Sequence, residues 1–319
     1  PLNGILVVEL AGLAPVPFAG MMLADLGATV LRIDRPDNAG SLAPDLLTRG
    51  KYAVQLDLKS SARDRARFHT LVRSADVLLD PYRPGVVESL LGLSTTKAAD
   101  DASIAAIHPK LVLARIAGFP RDGPMSAMAG HDLNYIASAG VLSLFGRAGE
   151  RPSFPVNLVA DFAGGSLMCV AGILAALVAR ASTGRGRVVD VNMVQGAQYL
   201  ASFLRAGHAS GMFAEPRGHN LLDSGAPQYE AYATSDGHHV TLAALEPQFY
   251  ARFLSGLETH GLADADQLSV LRGGSMFSDW TTKRQVLTGV FGKHSRETWT
   301  SAFDGSDACV VAVRELAEV

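Results

Sequence analysis

The opening of the chain limits the fold more than any later stretch. ILVVELA, starting at Ile5, is a continuous apolar run suited to a strand buried on both faces, and Gly12 to Pro17 turn it into a helix that includes FAGMMLADLG. Pro17 suits a first helical turn. ATVLRID from Ala28 is the next strand, which makes a βαβ unit. A crossover of that kind sets neighbouring strands parallel, and a parallel sheet needs helices over both faces. No GxGxxG follows the first strand, so a conventional nicotinamide or flavin site is not expected.

The same alternation continues. Tyr52 to Leu58 alternates as a strand and Ser60 to Ser74 reads as a helix. DVLLDPYRPGVVESL supplies a further strand, a Pro-Gly turn and a helix, while LVLARIAGF and RVVDVNM are two more strands, with Val194 to His208 helical after the second. The pattern predicts an α/β large domain over residues 1–208 with a parallel, Rossmann-like sheet. Residues 209–228 read as a connection. QYEAYATSDGHHVTLAAL then carries a hairpin centred on Ser235-Asp236-Gly237, and Glu246-Pro247 opens a helix. A smaller α+β domain over 229–319 is therefore expected, closing in amphipathic helix and loop.

Composition excludes several classes. A net charge of −3 without a dense Lys/Arg run argues against nucleic acid as a partner. Cys169 and Cys309 are the two cysteines, with no CxxC and no Cys/His cluster, so neither a disulfide framework nor a metal site is expected and a reducing, cytoplasmic setting is. PLNGILVVELAG lacks the basic start of an export signal. Phe162 to Ala179 carries no charge, which meets the length of a membrane span, but the run is rich in Ala and Gly and has no aromatic belt. It reads as a helix buried on all sides, with no membrane partner.

Two ionisable residues stand where loop is expected to become helix. The loop GFPRDGPMSAMAG delivers His131, and a turn thirty residues later delivers Asp161 before LVADFAGGSLMCVAGILAALVAR ends at Arg180. Outward-pointing amides at such junctions can hold developing negative charge while a side chain moves a proton, and Gly164 and Gly165 would allow close approach. Asp161 fits an N-cap equally well, and His131 a packed residue. Strand ends also present Arg35, Lys59 and Arg83 on one sheet edge, a pattern that suits a phosphorylated ligand and equally suits ordinary solvated charges.

GHDLNYIASAG, NLVADFAGGSLMCVAGILAAL, RVVDVNMVQGAQYL, PRGHNLLDSGAPQYEAY and LEPQFYARFLSGL closely resemble the α-methylacyl-CoA racemases of the family III CoA-transferase superfamily. The likeness extends through VVELAGLAP, LADLGATVLRIDRP, DLKS and YRPGV. It implies the family III CoA-transferase fold, an interlocked homodimer, an acyl-CoA substrate, and no metal or redox cofactor. It makes His131 and Asp161 the catalytic acid/base pair, with Glu246 beside the His. CoA contacts carry over to Arg35, to Leu56, Asp57, Leu58 and Lys59, to Pro81, Tyr82 and Arg83, and to Gly130, Asp132, Leu133, Asn134 and Tyr135. A further family arginine falls on Ser89, Phe119-Pro120 replaces a typical Trp-Gly, and Ala312 stands where the family usually has Pro. Family members also continue past the position of Val319. CoA transferases of the same fold use the Asp at position 161 as a nucleophile and generally lack the GHD histidine, so His131 favours racemisation. A transferase and a CoA-binding protein without turnover are the rival readings.

Overall fold

The apolar runs become β1 (Leu6–Leu10), β2 (Thr29–Asp34), β3 (Lys51–Gln55), β4 (Val77–Asp80), β5 (Val112–Ala117) and β6 (Val188–Asn192) of a computed structural model that describes residues 1–36, 46–95 and 98–319. All are parallel, in the order β3-β2-β1-β4-β5-β6, with Val8 opposite both Leu31 and Leu78. Chain order reverses between β1 and β4. In a doubly wound sheet the crevice at such a point is where ligands bind. β3 starts and ends earlier than the Tyr52 to Leu58 reading, because the chain turns at Asp57, whose carboxylate accepts the amides of Lys59 and Ser60 at 3.1 and 2.8 Å.

Helices α1 (Pro15–Asp25), α2 (Ala62–Ser74), α3 (Val86–Leu90), α4 (Asp101–Ile107), α5 (Asp132–Ser138), α6 (Met168–Thr183), α7 (Met193–Leu200) and α8 (Ser202–Ala209) follow. Period-two alternation sends Val8, Leu10, Leu78 and Leu113 to one face, where Phe68 and Val72 of α2, Val87 of α3 and Ile104 of α4 close the core. The other face receives α1 and α6. Glu9 points there, fully buried, with Lys51 Nζ 2.7 Å from its Oε2. Burial pushes the Glu9 carboxyl up to about 7 against the pull of that ammonium. The single helix read over Val194 to His208 is two, broken at Ala201.

The uncharged run departs further from expectation. Leu158–Leu167 is a π-helix that continues directly into α6. One side is buried through Gly164, Gly165, Ser166, Cys169, Ile173 and Ala176, whereas Leu158, Leu167 and Val178 are 57%, 45% and 75% exposed. The segment is therefore not buried on all sides. It is long and apolar enough to cross a membrane by length and composition.

The chain divides into two compact units, residues 1–143 with 154–203 and residues 144–153 with 204–319. The sequence reading put the division after 208 and kept 144–153 in the first part. Those ten residues pack instead on the second unit. Arg147 pairs with Glu230, Arg217 donates to the Glu150 carbonyl, and Gly218, at φ +83°, brings its backbone against Ala148. In the second unit β7 (Tyr229–Ala233), β8 (His239–Ala243) and β9 (Val310–Ala312) form an antiparallel sheet. The third strand, in a stretch read as helix and loop, is a correction; at three residues its alternation is too short to register. Helices α9 (Pro247–Thr259), α10 (Ala265–Arg272), α11 (Trp280–Phe291) and α12 (Arg296–Phe303) cover the sheet. Their core centres on Phe291, which stacks on Tyr232 at 4.6 Å and on Phe253 at 5.9 Å.

Candidate active site

Two clefts of the first unit open at the carboxyl ends of the parallel strands. The smaller, about 330 Å³, lies at the reversal point between the loops after β1, β4 and β5, with Val16, Pro81, Gly118, Gly130, His131 and Tyr135 among its walls. The larger, about 1060 Å³, runs along the ends of β2, β3 and β4, with Arg35, Leu56, Asp57, Leu58, Lys59 and Arg83 among its walls. Tyr82 and Arg83 belong to both. Arg35, Lys59 and Arg83, read from separate strand ends, thus line one space.

His131 ends the glycine-rich loop and precedes α5 in extended conformation, exposed at the smaller cleft. The Asn134 side chain accepts its amide at 3.1 Å, which fixes the backbone entering the helix. Tyr135 packs its ring edge-on against Phe119 at 5.1 Å, and its hydroxyl donates to the Gly130 carbonyl. That arrangement requires glycine at 118, where a Cβ would stand 2.3 Å from the tyrosine ring.

Asp161 is the fourth residue of the π-helix rather than its cap; the cap position is Asn157, one helical turn earlier. Asn157 Nδ2 donates to Asp161 Oδ2 at 3.2 Å. The link to the histidine loop is Asp132, only 3% exposed, whose Oδ2 accepts the amides of Ala160 and Asp161 at 2.7 and 2.8 Å. Burial raises the Asp161 pKa, the Asn157 bond and the His131 charge oppose this, and the Asp132 charge adds to it. Tyr135 is pushed up by burial and then by Asp161. His131, Tyr135 and Asp161 therefore share one electrostatic neighbourhood, although Asp161 is not a wall of the smaller cleft.

Oxyanion donors are expected among the amides at the start of this helix, and two of those amides are already engaged. The amides of Ala160 and Asp161 are spent on Asp132, and Gly164 faces α7, where a Cβ would meet the Ala197 amide nitrogen at 2.8 Å. These glycines serve helix packing. Of the carried-over positions, Asp132, Leu133 and Asn134 line neither cleft, while Ser89 lines the larger. Glu246 belongs to the second unit, at the start of α9, and its side chain does not cap that helix. Sequence reasoning missed Asn157, although its four-residue spacing from Asp161 on one helix face was legible. It also missed Arg65 of the larger cleft and Arg121. Arg121 is tied to Asp80 at 3.2 Å and to the Tyr82 carbonyl at 3.1 Å, beneath the shared wall. Among the described residues no group of three His, Cys, Asp or Glu is arranged to hold a metal ion.

Sheet order, the crevice at the reversal and the cation-lined cleft define a doubly wound α/β protein with a small antiparallel second unit. The chain belongs to CoA-transferase family III, whose pattern matches residues 2–319. It is 46% identical to mouse alpha-methylacyl-CoA racemase over 317 residues, 99% of this chain and 78% of that protein. Against the human alpha-methylacyl-CoA racemase the figure is 44% over 319 residues, 100% of this chain and 79% of that protein. A CAIB/BAIF family protein from Brucella suis has the same fold, with a TM-score of 0.79 at 22% identity, covering 100% of this chain and 85% of that one.

Proposed function

We propose that this chain is an isomerase that interconverts the two enantiomers of 2-methylacyl-CoA thioesters, with His131 and Asp161 as its acid/base pair. The hydrogen beside a thioester carbonyl is weakly acidic, so its removal needs a base within reach and stabilisation of the enolate oxygen. Inversion needs a second group on the opposite face, because a proton returned from the same side restores the starting isomer. In this reading one group takes the C2 proton, the enolate forms, and the other donates a proton to the far face; the roles exchange for the other enantiomer. Burial raises the Asp161 carboxyl, which favours its proton-holding form and so the donating half of the cycle. The CoA moiety lies along the larger cleft, and its thioester end reaches the smaller one past Tyr82 and Arg83. The role of Glu246 as partner of the imidazole belongs to the same reading and is carried by the resemblance.

One observation supports this most. An imidazole on a cleft wall and a carboxylate that feels its charge are held on two separate elements joined through Asp132, at the end of a cation-lined groove. The same reading includes a homodimer, in which a second copy covers the exposed apolar side chains Phe154, Val156, Leu158, Val178 and Tyr199.

The test is to incubate the protein with each enantiomer of a 2-methylacyl-CoA in heavy water and follow deuterium at C2. Both enantiomers should converge on one mixture with label incorporated, and His131→Ala and Asp161→Ala should each lower inversion by about 100-fold or more, the usual worth of a general acid or base, while CoA still binds. A trapped acyl-enzyme at Asp161 without C2 exchange would replace this reading by CoA transfer.

A further inference from the structure

The larger cleft holds a fourth cation that the sequence reading passed over. Arg65 lies in the first turn of α2 and lines the same space as Arg35, Lys59 and Arg83. Its Nη1 donates to the carbonyls of Lys59 at 2.9 Å and Leu58 at 3.3 Å. The guanidinium is thereby fixed against the turn after β3 by its own main chain. A guanidinium presents five donors in a rigid fork, and these two bonds use one nitrogen. Among the described residues, none of Arg35, Lys59, Arg65 and Arg83 forms an ion pair.

The carboxylates nearby are already engaged. Asp34 is bound to Arg32 at 2.7 Å, Asp57 accepts the Lys59 and Ser60 amides, and Asp64 accepts the Asp57 amide at 3.2 Å and pairs with Arg67 at 3.1 Å. Among the described residues, positive charge in this cleft is therefore in excess of the negative charge beside it. Ser89, on the same wall, supplies no charge. The N-terminus of α2, capped by Ser61, adjoins this wall through Ser60 and Arg65, so the positive end of its dipole adds to the cationic character there.

We propose that Arg65 is a phosphate-binding residue of the larger cleft, prepositioned by the Leu58 and Lys59 carbonyls to hold a phosphate of the CoA nucleotide. This rests on the acyl-CoA reading above. Held in place before the ligand arrives, the fork loses little freedom on binding, so its contribution falls on affinity for the nucleotide end and not on the proton transfer. Arg65→Gln removes the charge and keeps donors for the two carbonyls; Arg65→Lys keeps the charge and loses the fork.

The experiment measures CoA binding by calorimetry and racemisation kinetics for the parent chain and both variants, with the matching pantetheine thioester, which lacks the nucleotide phosphates, as control. Arg65→Gln should weaken CoA binding and raise KM by about tenfold or more, the usual worth of a charge-assisted hydrogen bond, with kcat kept. Arg65→Lys should recover part of the affinity, and the pantetheine thioester should react equally with parent and variant. Equal CoA affinity in parent and Arg65→Gln overturns this inference alone. Equal losses with CoA and pantetheine thioesters also overturn it, since Arg65 then only shapes the turn. Failure of the parent chain to bind CoA overturns the acyl-CoA reading and this inference with it.

Discussion

Asp132 shows how one carboxylate can set both the place and the charge of another. Its Oδ2 pins the amides of Ala160 and Asp161, while its Oδ1 is buried without a hydrogen-bond partner among the described residues. Its charge adds to the burial that lifts the Asp161 pKa. Asp132→Asn keeps an oxygen for the two amides and removes the like charge, so the Asp161 pKa should fall. As the base for one enantiomer, Asp161 works only when ionised. The acidic limb of kcat/KM in that direction is therefore expected to move to lower pH, while the limb for the opposite direction, which needs Asp161 protonated at the start, loses ground at its alkaline side. Profiles measured in both directions check the sign, and an unmoved pair would mean that Asp132 acts through geometry alone. The sequence showed Asp132 only as a neighbour in the GHD string. Its grip on residues 160 and 161 spans a separation that no local pattern encodes.

At the scale of elements, the crossing of the π-helix and α7 decides where Asp161 stands. Gly164 and Gly196 meet backbone to backbone; a Cβ on Gly196 would lie 1.9 Å from the Gly164 carbonyl oxygen and 2.6 Å from its carbon. Helix propensity favours Gly196→Ala by roughly 1 kcal/mol, but neither backbone can yield without moving a helix. The variant is expected to lose about 1–2 kcal/mol net in urea unfolding, an overpacking cost near the top of the usual range of roughly 1–3 kcal/mol less the propensity gain, and to lower turnover through the displaced Asp161. A gain in stability would show that the close approach does not constrain the crossing. The glycines were visible in ADFAGGS and MVQGAQ, yet their partner was not. Local reasoning read Gly164 as room for the close approach of a ligand, because a glycine pair after an acidic residue fits that use as well as helix packing.

The molecule as a whole leaves apolar surface uncovered along the 154–203 segment, with Phe154, Val178 and Tyr199 at 58%, 75% and 68% exposed. Where such side chains form one contiguous patch, it marks an interaction surface. If a second copy covers it, sedimentation should give a dimer for the parent chain, and Val178→Asp should shift the species toward monomer without lowering the stability of the isolated fold, since Val178 makes little of its core. A parent chain that sediments as a monomer at micromolar concentration would remove the homodimer from the proposal. The buried charges are a second whole-molecule feature. Arg115 is fully buried beside Glu88 at 2.8 Å, with Asp80 at 3.8 Å and Asp190 at 3.6 Å, and Arg121 joins the cluster through Asp80 and Asp190. Burial pushes Asp80 up to about 6 against these arginines. The cluster ties β4, β5, β6 and α3 together directly under the wall shared by the two clefts.

The amino-acid order by itself determined the parallel sheet, its helical crossovers, the hairpin of the second unit and the strand-end cations, because each follows from short-range periodicity, turn chemistry and strand polarity. It also brought His131 to a loop end, since glycine and proline mark that loop locally. Only tertiary structure decided that Asp161 lies inside a π-helix, that Asp132 holds it, that residues 144–153 pack with the second unit and that Arg65 joins Arg35 and Arg83. Those outcomes depend on contacts between residues far apart in the chain, where main-chain amides, carbonyls and charges choose partners that periodicity cannot specify.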